Sequence, residues 1–119
     1  MLLNDFFEIK ELTSVDGKIA ATIHLNAEHK IYSGHFPGNP ITPGVVQTQM
    51  VKEILEHHFK KSIRMKTMSR CKFLQILNPH ETPFVNINID MIQSEDGIRI
   101  GASGDWNSVT YFKFNALYQ

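Results

Sequence analysis

One long segment with helical periodicity, residues 43–58, lies between segments that alternate like strands, which leaves few architectures open. Its apolar residues recur at four-residue spacing, with further apolar residues beside them: Val46, Met50, Val51, Ile54 and Leu55. The apolar arc is wide, so we expect the helix to be largely buried. Three polar residues interrupt this pattern and need an explanation: Gln47, Thr48 and Gln49.

Strand-like segments surround the helix. Residues 6–13 and 18–26 are joined by Val15-Asp16-Gly17, and Asp-Gly between alternating runs is a strong hairpin signal. After the helix, strands are predicted over 67–77, 84–93, 98–104 and a last segment ending at Tyr118. A buried helix after a hairpin, followed by long antiparallel strands, predicts an α+β architecture with a sheet around one helix.

Size and composition narrow the class of protein. The 119 residues correspond to one domain, 1–119, and the formal net charge of zero does not suggest nucleic-acid binding. A single cysteine, Cys71, excludes an internal disulfide, and its strand-like setting predicts a buried, inert thiol. The sequence shows neither a signal-peptide pattern nor an apolar run of membrane-spanning length, so we expect a cytoplasmic protein without membrane insertion.

The loop from Gly34 to Gly44 leads into the helix and contains three prolines. Thr42 is predicted as the N-cap and Pro43 as the first helical residue, where a missing N–H costs nothing. The next two amides, Gly44 and Val45, then have no partner inside the helix and point out of its positive end. A helix start of this kind can stabilise developing negative charge.

His35 lies at the beginning of the same loop. A base near two aimed N–H donors suits removal of a proton next to a carbonyl, because fixed amides stabilise the charge that the carbonyl oxygen gains. The other histidines have ordinary explanations at the surface, at the helix end or in a turn: His24, His29, His57, His58 and His80. None has metal-ligand spacing with a cysteine or carboxylate, so no metal and no cofactor are predicted.

The run His-Phe-Pro-Gly-x-Pro-x-x-Pro-Gly-Val, residues 35–45, resembles the active-site signature of the hotdog-fold 3-hydroxyacyl-carrier-protein dehydratases of fatty acid synthesis. The resemblance weakens to about residue 55 and returns in Ser69-Arg70-Cys71-Lys72-Phe73; Asn78-Pro79-His80-Glu81 is a looser copy of the family's Pro-Gly-Asp turn. The resemblance implies a hotdog fold that pairs as a homodimer or larger assembly, with active sites between subunits.

The resemblance also implies the chemistry. His35 takes the C2 proton of a 3-hydroxyacyl thioester on acyl carrier protein, the Gly44 amide polarises the carbonyl, and the product is a trans-2-enoyl thioester. The carboxylate that the family supplies from the partner subunit falls on Gln49, which has no acidic proton but can hydrogen-bond a hydroxyl or a water. His35 would then carry both proton transfers. Related dehydratases of polyene pigment pathways also have a glutamine near Gln47.

The loop, the apolar face of the helix and the charge distribution suggest binding residues. The residues expected to line the acyl chain, with core packing as the alternative, are Phe36, Gly38, Pro43, Val45, Val46 and Met50. Basic residues without an intervening Asp or Glu are expected to dock the acidic carrier protein, with a solvated surface as the alternative: Lys60, Lys61, Arg64, Lys66, Arg70 and Lys72.

Two other functions remain open. Gln49 favours a non-catalytic acyl-binding or partner subunit that pairs with a complete dehydratase. A thioesterase on the same fold needs a carboxylate that activates water, and the helix offers only Glu53 and Glu56, about two turns from its positive end. The three functions rank in the order dehydratase, partner subunit and thioesterase.

Overall fold

The computed structural model describes residues 1–34 and 38–119, which form two helices and a six-stranded antiparallel sheet. In chain order the elements are β1 (Phe7–Val15), β2 (Lys18–Leu25), α1 (Lys30–Gly34), α2 (Gly44–Phe59), β3 (Met65–Phe73), β4 (Phe84–Ser94), β5 (Gly97–Trp106) and β6 (Val109–Tyr118). The strands lie in the order β1-β2-β4-β5-β6-β3, so the strand that follows α2 is at an edge.

The β1–β2 hairpin turns at Asp16 and Gly17, as the sequence predicts. Both residues have positive φ, 50° and 77°, which suits the tight turn of a two-residue hairpin. The hairpin register then places Ile19, Ile23 and Leu25 on the buried face of the sheet.

The core lies between α2 and one face of the sheet. The predicted apolar arc of α2 is buried, and Met50, Val51, Ile54 and Leu55 are each 0% exposed. They share one hydrophobic cluster with the inward residues of β2, β4, β5 and β6, including Ile87. The predicted α+β arrangement, a sheet packed around one long helix, is therefore confirmed.

β3 departs from the prediction in length and in burial. It ends at Phe73 rather than at residue 77. The Leu74 N–H still donates to Tyr111 O of β6 at 2.8 Å, but further along Leu77 O accepts the Thr42 N–H at 2.9 Å instead. Cys71 is exposed, so the prediction of a buried thiol is wrong. As an edge strand, β3 pairs only with β6, and its side chains lie largely in solvent.

The segment before the proline loop is more ordered than the sequence indicated. α1 was not predicted, and its Tyr32 side chain is buried. His29, expected at the surface, is only 8% exposed. Its Nε2 lies 3.0 Å from Asp5 Oδ2, and its Nδ1 accepts the Ile31 N–H at 3.0 Å. The imidazole therefore ties the N-terminal segment to the start of α1.

Candidate active site

The start of α2 is built differently from the prediction. Pro43 occupies the N-cap in extended conformation, with φ −61° and ψ 147°, and the helix begins at Gly44. Thr42 is not the cap, because its hydroxyl lies 2.8 Å from the Tyr32 hydroxyl in a buried contact. The loop is thus fixed to α1 through a side-chain hydrogen bond, and the helix end has no side-chain cap.

Two amides at the helix start stay free for other partners. The Val46 and Gln47 N–H groups both donate to Pro43 O, at 3.0 and 3.1 Å. Within residues 1–34 and 38–119, the Gly44 and Val45 N–H groups have no acceptor. These two donors carry the positive partial charge of the helix end.

A cavity of about 320 Å³ adjoins Gly44, the first of these two residues. The loop before α2 forms one side of it, and Gly44 and Gln47 contribute from the helix. The opposite wall is mostly apolar and comes from the end of β3 and the segment after it: Phe73, Leu74, Gln75, Ile76 and Leu77. A Cβ atom at position 44 would lie 2.6 Å from Phe73 Cζ, so a glycine is required for the ring to lie there.

The polar run in α2 has a structural explanation. Gln47 Nε2 donates to Thr42 O at 2.9 Å, and Thr48 Oγ1 donates to Val45 O at 3.0 Å. Gln49 Nε2 donates to Glu53 Oε2 at 2.9 Å. Each glutamine thus uses one of its two N–H donors internally, and its amide oxygen accepts no hydrogen bond among the described residues.

Glu53 is a buried carboxylate that ties α2 to the N-terminal segment. It is 1% exposed, and besides Gln49 it accepts the Leu2 and Leu3 N–H groups at 2.8 to 3.0 Å. Burial of a carboxylate is tolerated when hydrogen bonds replace its hydration, as they do here. Glu53 therefore fixes which way the Gln49 amide faces.

Tyr32 holds the loop before α2 in place through its contact with the Thr42 hydroxyl. Burial raises the pKa of its hydroxyl to about 12, although the contact with Thr42 acts in the opposite direction. The phenol therefore stays protonated at neutral pH and cannot act as a base there. The sequence gives no sign of a role for Tyr32 and marks Phe73 only as the end of the run Ser69-Arg70-Cys71-Lys72-Phe73, because only the fold brings the two side chains to the helix start.

The residues expected to line the acyl chain do not lie together in the structure. His35 and Phe36 lie outside the described residues. Pro43 joins Gly44 on the cavity. The others do not line it: Gly38 is in an exposed turn, Val45 is 76% exposed, Val46 is half-buried and Met50 is in the core.

The basic residues are all exposed: Lys60, Lys61, Arg64, Lys66, Arg70 and Lys72. In the described part of the chain none of them forms an ion pair. Lys72 pairs across the β3–β6 ladder with Lys113. Together with Arg70 these two lysines line a groove of about 650 Å³ on the sheet face away from α2. We call Arg70, Lys72 and Lys113 the basic groove.

Residues 1–34 and 38–119 contain neither a metal-ligand cluster nor a membrane-spanning helix. In that part of the chain no three His, Cys, Asp or Glu side chains come together in a group that could hold a metal ion. No helix among the described residues has the length and apolar content needed to cross a membrane.

Comparison with known proteins identifies relatives. A family model described as ApeI dehydratase, ApeI-like, matches residues 11–104. The 3-hydroxyacyl-(acyl-carrier-protein) dehydratase FabZ of Oenococcus oeni is 25% identical over 104 residues, covering 82% of this chain and 73% of the relative. FabZ of Thermoanaerobacter sp. (strain X514) is 28% identical over 101 residues, covering 78% of this chain and 68% of the relative.

Solved structures agree in fold. The chain is similar to the dehydratase heterocomplex ApeI:P from Xenorhabdus doucetiae, with a TM-score of 0.78, 16% identity and coverage of 92% of this chain and 95% of that one. The chain is also similar to a candidate thioesterase from Ralstonia eutropha JMP134, with a TM-score of 0.64 and 10% identity. The match covers 91% of this chain and 82% of that one. These likenesses show the hotdog fold, as the sequence resemblance implied. With the family model matching most of its length, the chain belongs to the ApeI-like dehydratase family.

Proposed function

We propose that the protein dehydrates (3R)-3-hydroxyacyl thioesters carried on acyl carrier protein, forming water and trans-2-enoyl thioesters. The observation that carries the proposal is the cavity at the start of α2, where the free Gly44 N–H adjoins apolar walls. Membership of a dehydratase family and the names of the FabZ relatives support the reaction and the carrier.

In the proposed mechanism His35 takes the C2 proton, and the electrons of that C–H bond form the C2–C3 double bond. The C3–O bond breaks, and the departing oxygen takes the proton back from His35 to leave as water. The Gly44 N–H donates to the thioester oxygen while negative charge develops there. Amides that are already oriented stabilise that charge without reorganising.

Gln49 cannot replace the missing acid in this scheme. An amide has no acidic proton; one of its N–H groups donates to Glu53, and its oxygen can accept a hydrogen bond from a hydroxyl or a water. Both proton transfers then belong to His35. The two protons move at adjacent carbons, within reach of one imidazole.

The test is a direct assay. Purified protein is incubated with 3-hydroxyacyl-acyl carrier protein, and the enoyl product is followed by its absorbance and by mass spectrometry. We expect His35→Ala to lower the rate by about 10²–10⁴-fold or more, the usual worth of a catalytic base. His80→Ala, which changes an exposed turn, is the control. Absence of product from the unmodified protein on any carrier would contradict the proposal.

A second candidate is a non-catalytic partner subunit, and the pair Gln49–Glu53 is the observation that favours it. The double variant Gln49→Glu/Glu53→Gln moves the acid to position 49 and keeps a donor–acceptor pair between the two positions. A gain of about 10²-fold or more over a near-zero rate would favour the partner subunit. Little change would favour a working site with one histidine.

A thioesterase is disfavoured because both helix carboxylates are already engaged. Glu53 accepts backbone and amide N–H groups, and Glu56 accepts the Ile63 N–H at 3.0 Å and lies 3.7 Å from Lys52 Nζ. Neither carboxylate lines the cavity at the start of α2, so neither lies where water would attack a thioester bound there. Release of free thiol without an enoyl product would restore this alternative.

For the carrier protein we propose docking along the exposed basic residues from Lys60 to Lys72. Carrier-protein recognition by charge fits cations that have no Asp or Glu between them in the sequence and no ion-pair partner in the described chain, although Asp90 also lines the basic groove. Lys113 extends this surface beyond the predicted residues.

We also propose a homodimer. β3 is an edge strand with exposed apolar side chains, including Met68 at 36% and Phe73 at 48%, and exposed edges of this kind favour pairing with another chain. Sedimentation equilibrium measures the mass. A monomer at micromolar concentration would contradict the proposal.

A further inference from the structure

Gln47 has a buried oxygen without a hydrogen-bond donor. The side chain is 3% exposed, and no donor among residues 1–34 and 38–119 reaches its Oε1. Buried polar atoms in proteins are nearly always hydrogen-bonded, so a lone acceptor of this kind requires an explanation. One explanation is that a bound ligand donates the missing hydrogen bond to Oε1, and this explanation says which chemical group the ligand must carry.

The orientation of this amide is fixed by its other end. Nε2 lies 2.9 Å from Thr42 O, and a carbonyl oxygen can only accept a hydrogen bond. A flipped amide would place two acceptors against each other. Oε1 is therefore an acceptor that cannot turn into a donor while the loop before α2 stays in place.

Gln47 also lies beside the free helix amides. It follows Gly44 by three residues, so the two share one face of α2, and helix side chains lean toward the N-terminal end. Gly44 and Gln47 line the same cavity, whereas Gln49 does not line it. The mostly apolar cavity is thus bordered by one residue with a backbone donor and one residue with a buried, unpartnered side-chain acceptor.

A 3-hydroxyacyl thioester has the complementary groups. Its thioester oxygen accepts a hydrogen bond, and its hydroxyl, two carbons away, donates one. We infer that Gln47 Oε1 accepts the hydrogen bond of the substrate's 3-hydroxyl and so selects 3-hydroxyacyl chains over chains without that group. This inference rests on the proposed function and concerns specificity at the same cavity.

The choice between the two glutamines follows from their surroundings. The Gln49 amide donates to Glu53, which in turn accepts the Leu2 N–H, and this pair lies on a different face of α2. Gln47 is anchored on the loop that borders the cavity. When the hydroxyl leaves, the enoyl product has no donor for Gln47, so the product binds more weakly than the substrate.

The experiment measures binding in a His35→Ala background, where turnover is blocked. Affinities are determined by calorimetry for two pantetheine thioesters of equal chain length, one 3-hydroxyacyl and one saturated acyl. We expect a preference of about 10–100-fold for the hydroxyacyl ligand, since a site built around a substrate hydroxyl discriminates against its absence. Gln47→Leu should reduce this ratio to about one.

Gln93→Leu, the same substitution at an exposed position on β4, is the matched control and should leave the ratio unchanged, while Gln49→Leu tests the other glutamine as the acceptor. Gln47→Met, which keeps the side-chain length, repeats the test if the leucine variant does not fold. The inference is overturned if the ratio survives in Gln47 variants, if both affinities fall equally, as they would for a contact with the pantetheine arm, or if Gln49→Leu removes the ratio. A clear ratio without turnover by the unmodified protein would overturn the proposed reaction alone.

Discussion

Gln49 and Glu53 form a donor–acceptor pair that can be reversed without losing a hydrogen bond. At present the amide donates and the carboxylate accepts, and the other carboxylate contacts are with the Leu2 and Leu3 N–H groups. An amide at position 53 can still accept those N–H groups through its oxygen, and its NH₂ can donate to a carboxylate at position 49. The single change, by contrast, places two carboxyl groups against each other.

We expect Gln49→Glu alone to destabilise the protein by about 2–3 kcal/mol at pH 8, because two adjacent buried carboxyls cannot both ionise cheaply. One of them then keeps a proton that it loses on unfolding, so the destabilisation should shrink as the pH falls toward 5. Gln49→Glu/Glu53→Gln should recover at least half of the loss. Urea unfolding at the two pH values measures both effects, and equal stability of the two variants would contradict the pairing.

The sequence identified these polar helix residues but not their partners. Gln49 was noted because it stands where related enzymes have a carboxylate, and Gln47 because it is polar on an apolar helix. Glu53, which orients Gln49, is itself held by Leu2, 51 positions away, so local spacing does not encode that contact. The Thr42 carbonyl that orients Gln47 is only five positions away, but its direction depends on how the loop enters the helix.

At the level of elements, the site depends on the end of β3 meeting the start of α2. The Phe73 ring lies against Gly44, where a Cβ would come within 2.6 Å of Cζ. Phe73 is 48% exposed, so the ring can move outward when the glycine is replaced. The contact should therefore affect the cavity wall more than the fold.

We expect Gly44→Ala to cost about 1–2 kcal/mol, at the low end of overpacking penalties. In Phe73→Ala protein the same change should cost less by at least about 0.5 kcal/mol, which a double-mutant cycle from urea unfolding detects. Gly101→Ala is the control, since its Cβ would be 3.4 Å from its nearest neighbour, Asn115 Oδ1. Additive effects of Gly44→Ala and Phe73→Ala would contradict the contact.

The regular elements followed from sequence patterns, whereas their ends depended on context. The helix predicted over 43–58 is α2, Gly44–Phe59, because its apolar spacing defines it. The prediction of Thr42 as its N-cap is wrong, because the Thr42 hydroxyl bonds to Tyr32 instead. α1 was missed since its single buried side chain gives no periodic signal.

At the scale of the whole molecule, the sheet order brings together charges that are distant in sequence. Lys72 and Lys113 are directly opposite on β3 and β6, and like charges in that position destabilise a sheet slightly. The sequence predicts the cluster of basic residues after α2, but the pairing of Lys72 with Lys113 follows only from the order of the strands. A pair that costs stability and lines a groove has the properties of a docking surface.

We expect Lys113→Glu to leave stability unchanged or raise it by up to about 1 kcal/mol, because it converts a repulsive cross-strand pair into an attractive one. The same change should raise KM for a carrier-protein substrate, with kcat and the KM for a pantetheine substrate unchanged. Lys10→Glu, on β1 at the opposite edge of the sheet, is the control. An equal change of KM for both substrates would contradict docking at this groove.

Two buried tyrosines link the stability of the whole domain to alkaline pH. Burial raises the pKa of Tyr32 to about 12 and that of Tyr118 to about 12, with the Glu56 charge adding to the effect at Tyr118. An unfolded tyrosine titrates near about 10. Between these values the unfolded chain loses protons that the folded chain keeps, so the free energy of unfolding falls as the pH rises.

Replacing each tyrosine by phenylalanine separates its hydrogen bond from its titration. Tyr118 Oη has no partner in the described chain, so Tyr118→Phe should be neutral or stabilising at pH 7. Tyr32→Phe removes the 2.8 Å contact with Thr42 and should cost about 1 kcal/mol. Each variant should lose less stability than the unmodified protein between pH 9.5 and 11.5, a window set by the reference pKa of about 10. Urea unfolding across that range measures the difference, and parallel losses in all three proteins would show that neither phenol is protected by the fold.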